Sequence, residues 1–159
     1  MLALLDPGDP DLPLLLLQRS SELRAHPGQA ALPGGSAAPE DGPLWQTALR
    51  ESWEELGVPR GAVDLRGRAS VVPTFNSGFA IVPFVGLLAE PFEPAPEAQE
   101  VASYFWLPLL PRGVPATPVR REVRLREGGL QARGYLHQEH FVWGATGAIV
   151  ADLLGRLAL

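Results

Sequence analysis

Arg50-Glu51-Ser52-Trp53-Glu54-Glu55-Leu56-Gly57 is the stretch on which the reading of this chain turns. It closes a segment, Pro43 to Leu56, whose pattern predicts a helix, and Gly57 ends it because glycine readily takes the left-handed conformation in which helices stop. At about 100° per residue, Trp45, Leu49, Trp53 and Leu56 fall on one side with Ser52 among them. Glu51, Glu54 and Glu55 fall on the other, since residues three and four apart share a helical face. Like charges so spaced repel by roughly a few tenths of a kcal/mol per pair. A solvated acidic surface is one account of such a helix. The other is a divalent cation: Mg²⁺ or Mn²⁺ takes hard oxygen ligands, usually one or two carboxylates, and completes its shell with water and phosphate oxygens.

Immediately upstream lies Leu32-Pro33-Gly34-Gly35, a tight turn whose glycines permit close backbone approach, so that a carbonyl such as that of Gly35 can reach a cation beside the helix. Turn, loop, acidic helix and terminating glycine form a composite that points to a phosphate-handling metal site more strongly than the acids alone.

The rest of the composition narrows the chemistry. The 159 residues, 46% hydrophobic and 19% charged, suit one soluble domain with one core over residues 1–159. There is no cysteine, which excludes disulfides, zinc–thiolate sites and thiol catalysis. All 13 basic residues are arginine, so lysine Schiff-base chemistry is excluded, while arginine is suited to bidentate contacts with phosphate. A genome rich in arginine codons accounts for the same count. The net charge of −5 argues against nucleic acid as a partner. Met1 is followed by no basic stretch, and the apolar run Leu12 to Leu17 contains Pro13 and is too short to span a bilayer. A cytoplasmic enzyme with no membrane partner is expected, as monomer or homodimer.

Prolines and glycines punctuate short elements throughout. Leu14–Leu17 and Ala80–Leu88 read as strands buried on both faces, with Pro83 requiring an edge or a bulge. Val101–Leu107 and Glu122–Arg126 read as further strands separated by a proline-rich connection, and Gly144–Leu157 as a second helix. Helices packed on the faces of a mixed sheet follow. Asn76 to Phe79 is placed at a pocket by position. His137-Gln138-Glu139-His140 lacks the spacing of a zincin zinc site.

The acidic composite resembles the Nudix box: a glycine, five residues, an acid, seven residues, then Arg-Glu-apolar-x-Glu-Glu-x-Gly-apolar. Gly35 matches the first glycine, Asp41 the acid, and Arg50 to Val58 the remainder. Three departures stand: aspartate replaces glutamate, eight residues (Gly42 to Leu49) stand where the pattern has seven, and Ser52 replaces an apolar residue. The resemblance implies an α/β protein of the Nudix fold, an α/β/α sandwich with a mixed β-sheet. It also implies metal-dependent hydrolysis of a diphosphate, with Glu51 and Glu55 as metal ligands, Glu54 as a shared or water-bridged ligand, and Arg50 orienting the acids. The role of Asp41 stays open.

Arg19-Ser20-Ser21-Glu22-Leu23-Arg24-Ala25-His26-Pro27-Gly28-Gln29 is similar to the additional motif of the coenzyme A pyrophosphatase branch of that family. Thr47 to Glu51 and Val142 to Thr146 are similar to it as well. Coenzyme A carries a diphosphate and a 3′-phosphate, and the branch resemblance implies cleavage to 3′,5′-ADP and 4′-phosphopantetheine. Arg19, Arg24, His26 and Gln29 are then the candidate substrate contacts, and Glu54 and Glu100 the candidate general bases. ADP-ribose, NADH or a nucleotide sugar as substrate, and a nucleotide-binding domain without catalysis, are the alternatives.

Overall fold

The computed structural model describes residues 1–74, 78–125 and 128–157. The sandwich expected from sequence is present. Strands β1 (Leu2–Leu5), β2 (Pro13–Arg19), β3 (Ala30–Ala31), β4 (Val63–Arg68), β7 (Phe84–Leu88) and β8 (Val101–Pro108) form the main sheet. It is mixed, because β1 runs parallel to β7 while its other pairings are antiparallel.

The leucine run of β2 shows why two helical layers are needed. Successive side chains of a strand point to opposite faces. Leu15 and Leu17 accordingly pack with Ala48, Leu49 and Leu56 of helix α1 (Leu44–Leu56). Leu14 and Leu16 join Ile149, Val150, Leu153 and Leu154 of helix α2 (Gly144–Leu157) on the other face. Both faces being covered explains why this run is continuously apolar rather than alternating.

A second sheet, β9 (Val119–Leu125), β10 (Gly128–His137) and β11 (His140–Trp143), is an antiparallel meander whose Tyr135 and Val142 reach the α2 side of the core. Arg126, which the sequence reading assigns to the strand at Glu122, lies outside the described residues. Two short strands, β5 (Val72–Pro73) and β6 (Ala80–Ile81), pair with each other.

Two expectations are corrected and one strand is added. Ala80–Leu88 is two strands in two sheets, parted at Val82-Pro83 where proline has no N–H for a ladder, and β7 is mostly half-buried. A strand that the sequence reading does not include, the buried β1, precedes Leu14 and supplies the parallel pairing. On α1, Trp53 is 58% exposed and Trp45 36%, while Ala48, Ser52 and Glu55 are buried. The packed stripe is therefore Ala48, Leu49, Ser52, Glu55 and Leu56, which takes in Glu55 and leaves both tryptophans outside it. Ser52 fits there because its hydroxyl donates to the Ala48 carbonyl at 2.6 Å and so leaves no unsatisfied polar atom. No described helix is long and apolar enough to cross a membrane.

Candidate active site

The three acids of α1 do not share one environment. Glu55 is 5% exposed and accepts a hydrogen bond from the Gly34 N–H at 2.8 Å. Glu51 lies against Gly35 so closely that a Cβ on that glycine would stand 2.6 Å from its carboxylate. Glu54 has a side chain 54% exposed. Among the described residues no three His, Asp or Glu side chains converge as a closed metal cage. Glu51 and Glu55, one helical turn apart beside the backbone of Gly34 and Gly35, instead make an open set of hard oxygen donors, which suits a cation that keeps water and substrate oxygens.

Arg50 ties this region together. Its guanidinium donates to Asp41 through Nε at 2.6 Å and Nη2 at 2.9 Å, to Glu54 through Nη1 at 2.8 Å, and to the Ser36 carbonyl at 3.4 Å. It also pairs with Glu51 at 2.8 Å. Asp41 in turn accepts from the Ala38 N–H at 2.8 Å and the Thr47 hydroxyl at 2.9 Å. The Arg50 hydrogen bond, followed by that from Ala38, holds the Asp41 carboxyl well below the usual carboxylate range. Asp41 is thus an anchor for Arg50, and the additional residue between the two does not prevent the contact.

Burial pushes the Glu55 carboxyl up to about 7, with Glu51 and Glu100 adding to the shift and the Gly34 N–H and Arg19 opposing it. The folded state therefore holds this proton to higher pH than the unfolded chain, and stability falls as pH rises from the unfolded value of 4.5 towards 7. In EDTA, Tm is expected to drop by several degrees more between about pH 5 and pH 8 for the wild-type chain than for Glu55→Gln. Mg²⁺ should restore more of that loss at the higher pH, because binding requires the ionised carboxylate. Parallel melting curves against pH check both points.

Glu100 is exposed in the connection leading into β8, and its carbonyl accepts from the Ser20 N–H at 2.8 Å. Arg19, at the end of β2, pairs in register with Val101, which brings it and Glu100 to the Glu55 side of the sheet. Its Nε is buried with no hydrogen-bond partner among the described residues. The Gln29 carbonyl accepts from the Arg19 N–H at 2.9 Å, so the two ends of the Arg19–Gln29 segment are held together. Between them Arg24 and His26 are exposed, and their side chains make no hydrogen bond or ion pair among the described residues. Asn76 and Ser77 lie outside the described residues, and Phe79 is 69% exposed.

Two contacts escaped the sequence reading. Gly34 contributes an N–H to a carboxylate, where only a carbonyl near a metal was anticipated, and Thr47 braces Asp41. Asp41, Thr47 and Arg50 standing close in sequence was the available signal for the second. For the neighbouring close approach of Glu51 to Gly35, Gly35→Ala is an informative variant. Its methyl group would press on the movable end of Glu51. Activity should fall about 10–100-fold, the effect expected when a ligand is misoriented, with Tm nearly unchanged. Unaltered activity would show that the close approach has no functional weight.

The model of the NUDIX domain matches residues 1–111. The chain is similar to a protein described as “Uncharacterized Nudix hydrolase NudL” from Yersinia enterocolitica, 38% identical over 148 residues, covering 91% of this chain and 73% of the relative. The NudL of Pectobacterium atrosepticum is 40% identical over 149 residues, covering 88% and 72%. Among solved structures, an Ap4A hydrolase binary complex from C. elegans superposes with a TM-score of 0.58 at 20% identity, covering 68% of this chain and 77% of that one, a likeness of fold. The family match over most of the chain, the two relatives and the shared sandwich lead to one conclusion: the chain belongs to the Nudix hydrolase family.

Proposed function

We propose that this Nudix hydrolase, read as a single domain over residues 1–159, cleaves the diphosphate of coenzyme A or its derivatives to 3′,5′-ADP and 4′-phosphopantetheine. Mg²⁺ or Mn²⁺ is the cofactor, held by Glu51 and Glu55 with the Gly35 backbone beside them and Glu54 as an outer or water-bridged ligand. When bound, the cation would neutralise non-bridging diphosphate oxygens and lower the pKa of the attacking water.

The observation that carries the reading is Arg19. A buried guanidinium nitrogen with no hydrogen-bond partner among the described residues, beside a carboxylate site, supports an anion contact at Arg19. It begins the segment whose residues match the coenzyme A branch, and Gln29, Arg24 and His26 would add donors from the same loop. For the general base Glu100 is favoured over Glu54: its charge reaches Glu55, whereas Glu54 is engaged by Arg50. Arg50 orients the acids.

The test is direct. The protein is incubated with Mg²⁺ or Mn²⁺ and coenzyme A, ADP-ribose or NADH, and products are resolved by chromatography. Release of 3′,5′-ADP from coenzyme A in preference to cleavage of the others is expected. Preference for ADP-ribose or NADH would overturn the substrate assignment.

A further inference from the structure

We infer that a second cleft, on the other face of β2 from the acids, binds a flat heteroaromatic base together with the phosphate ester on its sugar, the phosphorylated nucleoside end of the substrate. The cleft has a volume of about 400 Å³ and lies between residues 27–29 and the β9–β11 sheet. That volume falls within the roughly 300–1,000 Å³ usual for small-molecule sites. Gln18, Gln29, Arg121, Arg124, Phe141 and Trp143 are the lining residues that matter.

Its walls are fixed. Gln18 donates to the Gly28 carbonyl through Nε2, and its Oε1 lies 3.0 Å from His140 Nδ1. The His140 ring stacks on Phe105 with centroids 3.9 Å apart and planes 1° from parallel. Next to it, Gly134 has no room for a side chain: a Cβ would stand 2.3 Å from the Val142 carbonyl oxygen and 3.0 Å from both Phe141 Cε2 and Trp143 Cβ. Glycine there lets the Phe141 ring lie down over β10, with the Arg121 guanidinium 6.0 Å from its centroid.

The charge of this sheet is as telling. In a chain of net charge −5, Arg120, Arg121, Arg124 and Arg133 all stand on one hairpin, and none makes an ion pair among the described residues. Two acids also line the cleft: Glu122, which lies against Gly129, and Glu139, whose side chain is 79% exposed at the β10–β11 turn. Half-buried aromatic faces beside guanidinium groups that have no ion pair among the described residues, with two amides, are what a base and its phosphate require: stacking for the ring, bidentate donors for the phosphate. Gln18 and Arg19 are successive residues of β2, so one strand end serves both this cleft and the acids.

The identity of the ligand rests on the coenzyme A reading, so the test separates the two. Binding of 3′,5′-ADP, adenosine and 4′-phosphopantetheine is measured by calorimetry without metal, on the wild-type chain and on Arg121→Gln/Arg124→Gln. Both arginines are exposed, so the fold should survive. Expected are 3′,5′-ADP binding that adenosine and 4′-phosphopantetheine do not match, weakened at least tenfold by the double substitution, and a KM for coenzyme A raised by a larger factor than kcat is lowered. If coenzyme A is hydrolysed but the double variant binds 3′,5′-ADP and coenzyme A as the wild type does, the cleft assignment falls and the activity stands. If coenzyme A is not hydrolysed but 3′,5′-ADP binds through the arginines, the cleft stands and the substrate reading falls. Failure of 3′,5′-ADP to bind at all overturns the inference.

Discussion

Glu55→Gln should lower turnover by on the order of 10³-fold while leaving a chain at least as stable as the parent in the absence of metal. The two effects have one origin. Glu55 is a carboxylate removed from water, with a backbone N–H as its hydrogen-bond partner, and burial already pushes its carboxyl up to about 7. Glutamine keeps an oxygen for the Gly34 N–H and removes the penalty of burying charge, so nothing in the packing is lost. What disappears is the anion that a divalent cation would take as ligand. The measurement is kcat at saturating Mg²⁺ alongside Tm in EDTA. Activity within a few-fold of wild type would mean that Glu55 is not a ligand, and a large fall in Tm would mean that its role is structural. Glu51→Gln should behave alike in turnover.

The second large effect is expected at Arg50. Lysine conserves the charge, but a single ammonium on a flexible stem cannot make the five contacts that the planar guanidinium makes with Asp41, Glu51, Glu54 and Ser36. Arg50→Lys should therefore weaken metal binding and lower kcat by roughly 10–100-fold, the range for partners that orient ligands. Tm should fall as well, because the buried Asp41 carboxylate loses its bidentate partner and retains only Ala38 and Thr47. Since Asp41 acts through Arg50, Asp41→Asn combined with Arg50→Lys should cost less than the sum of the two single changes. Strict additivity in metal affinity would show that the two residues act separately, and an unchanged metal affinity in Arg50→Lys would remove it from the site.

Much of the fold was legible because burial leaves periodic traces. Leu14 to Leu17 is apolar at every position because α1 and α2 cover opposite faces of β2, and Gly57 marks the helix end because its φ of 66° is the left-handed value. The short apolar segments were harder. Ala80–Leu88 reads as one strand, but the break at Pro83 sends its halves to different sheets, and no periodicity within nine residues distinguishes the two outcomes.

The acidic helix divides the same way. By itself the sequence determined that three glutamates, an arginine and a Gly-Gly turn belong to one device, since their spacing on a helix and the conformational freedom of glycine are local properties. It also determined which family the device resembles. Only the tertiary structure decided that the acids differ: Glu55 buried on the Gly34 N–H, Glu51 pressed against Gly35, Glu54 in solvent on Arg50. The helical wheel put Trp53 inside and Glu55 outside, and the packed chain reversed them. A wheel gives angles relative to the helix axis, but which angle faces the sheet depends on where the Gly34-Gly35 turn and β2 lie, and those contacts join residues far apart in sequence.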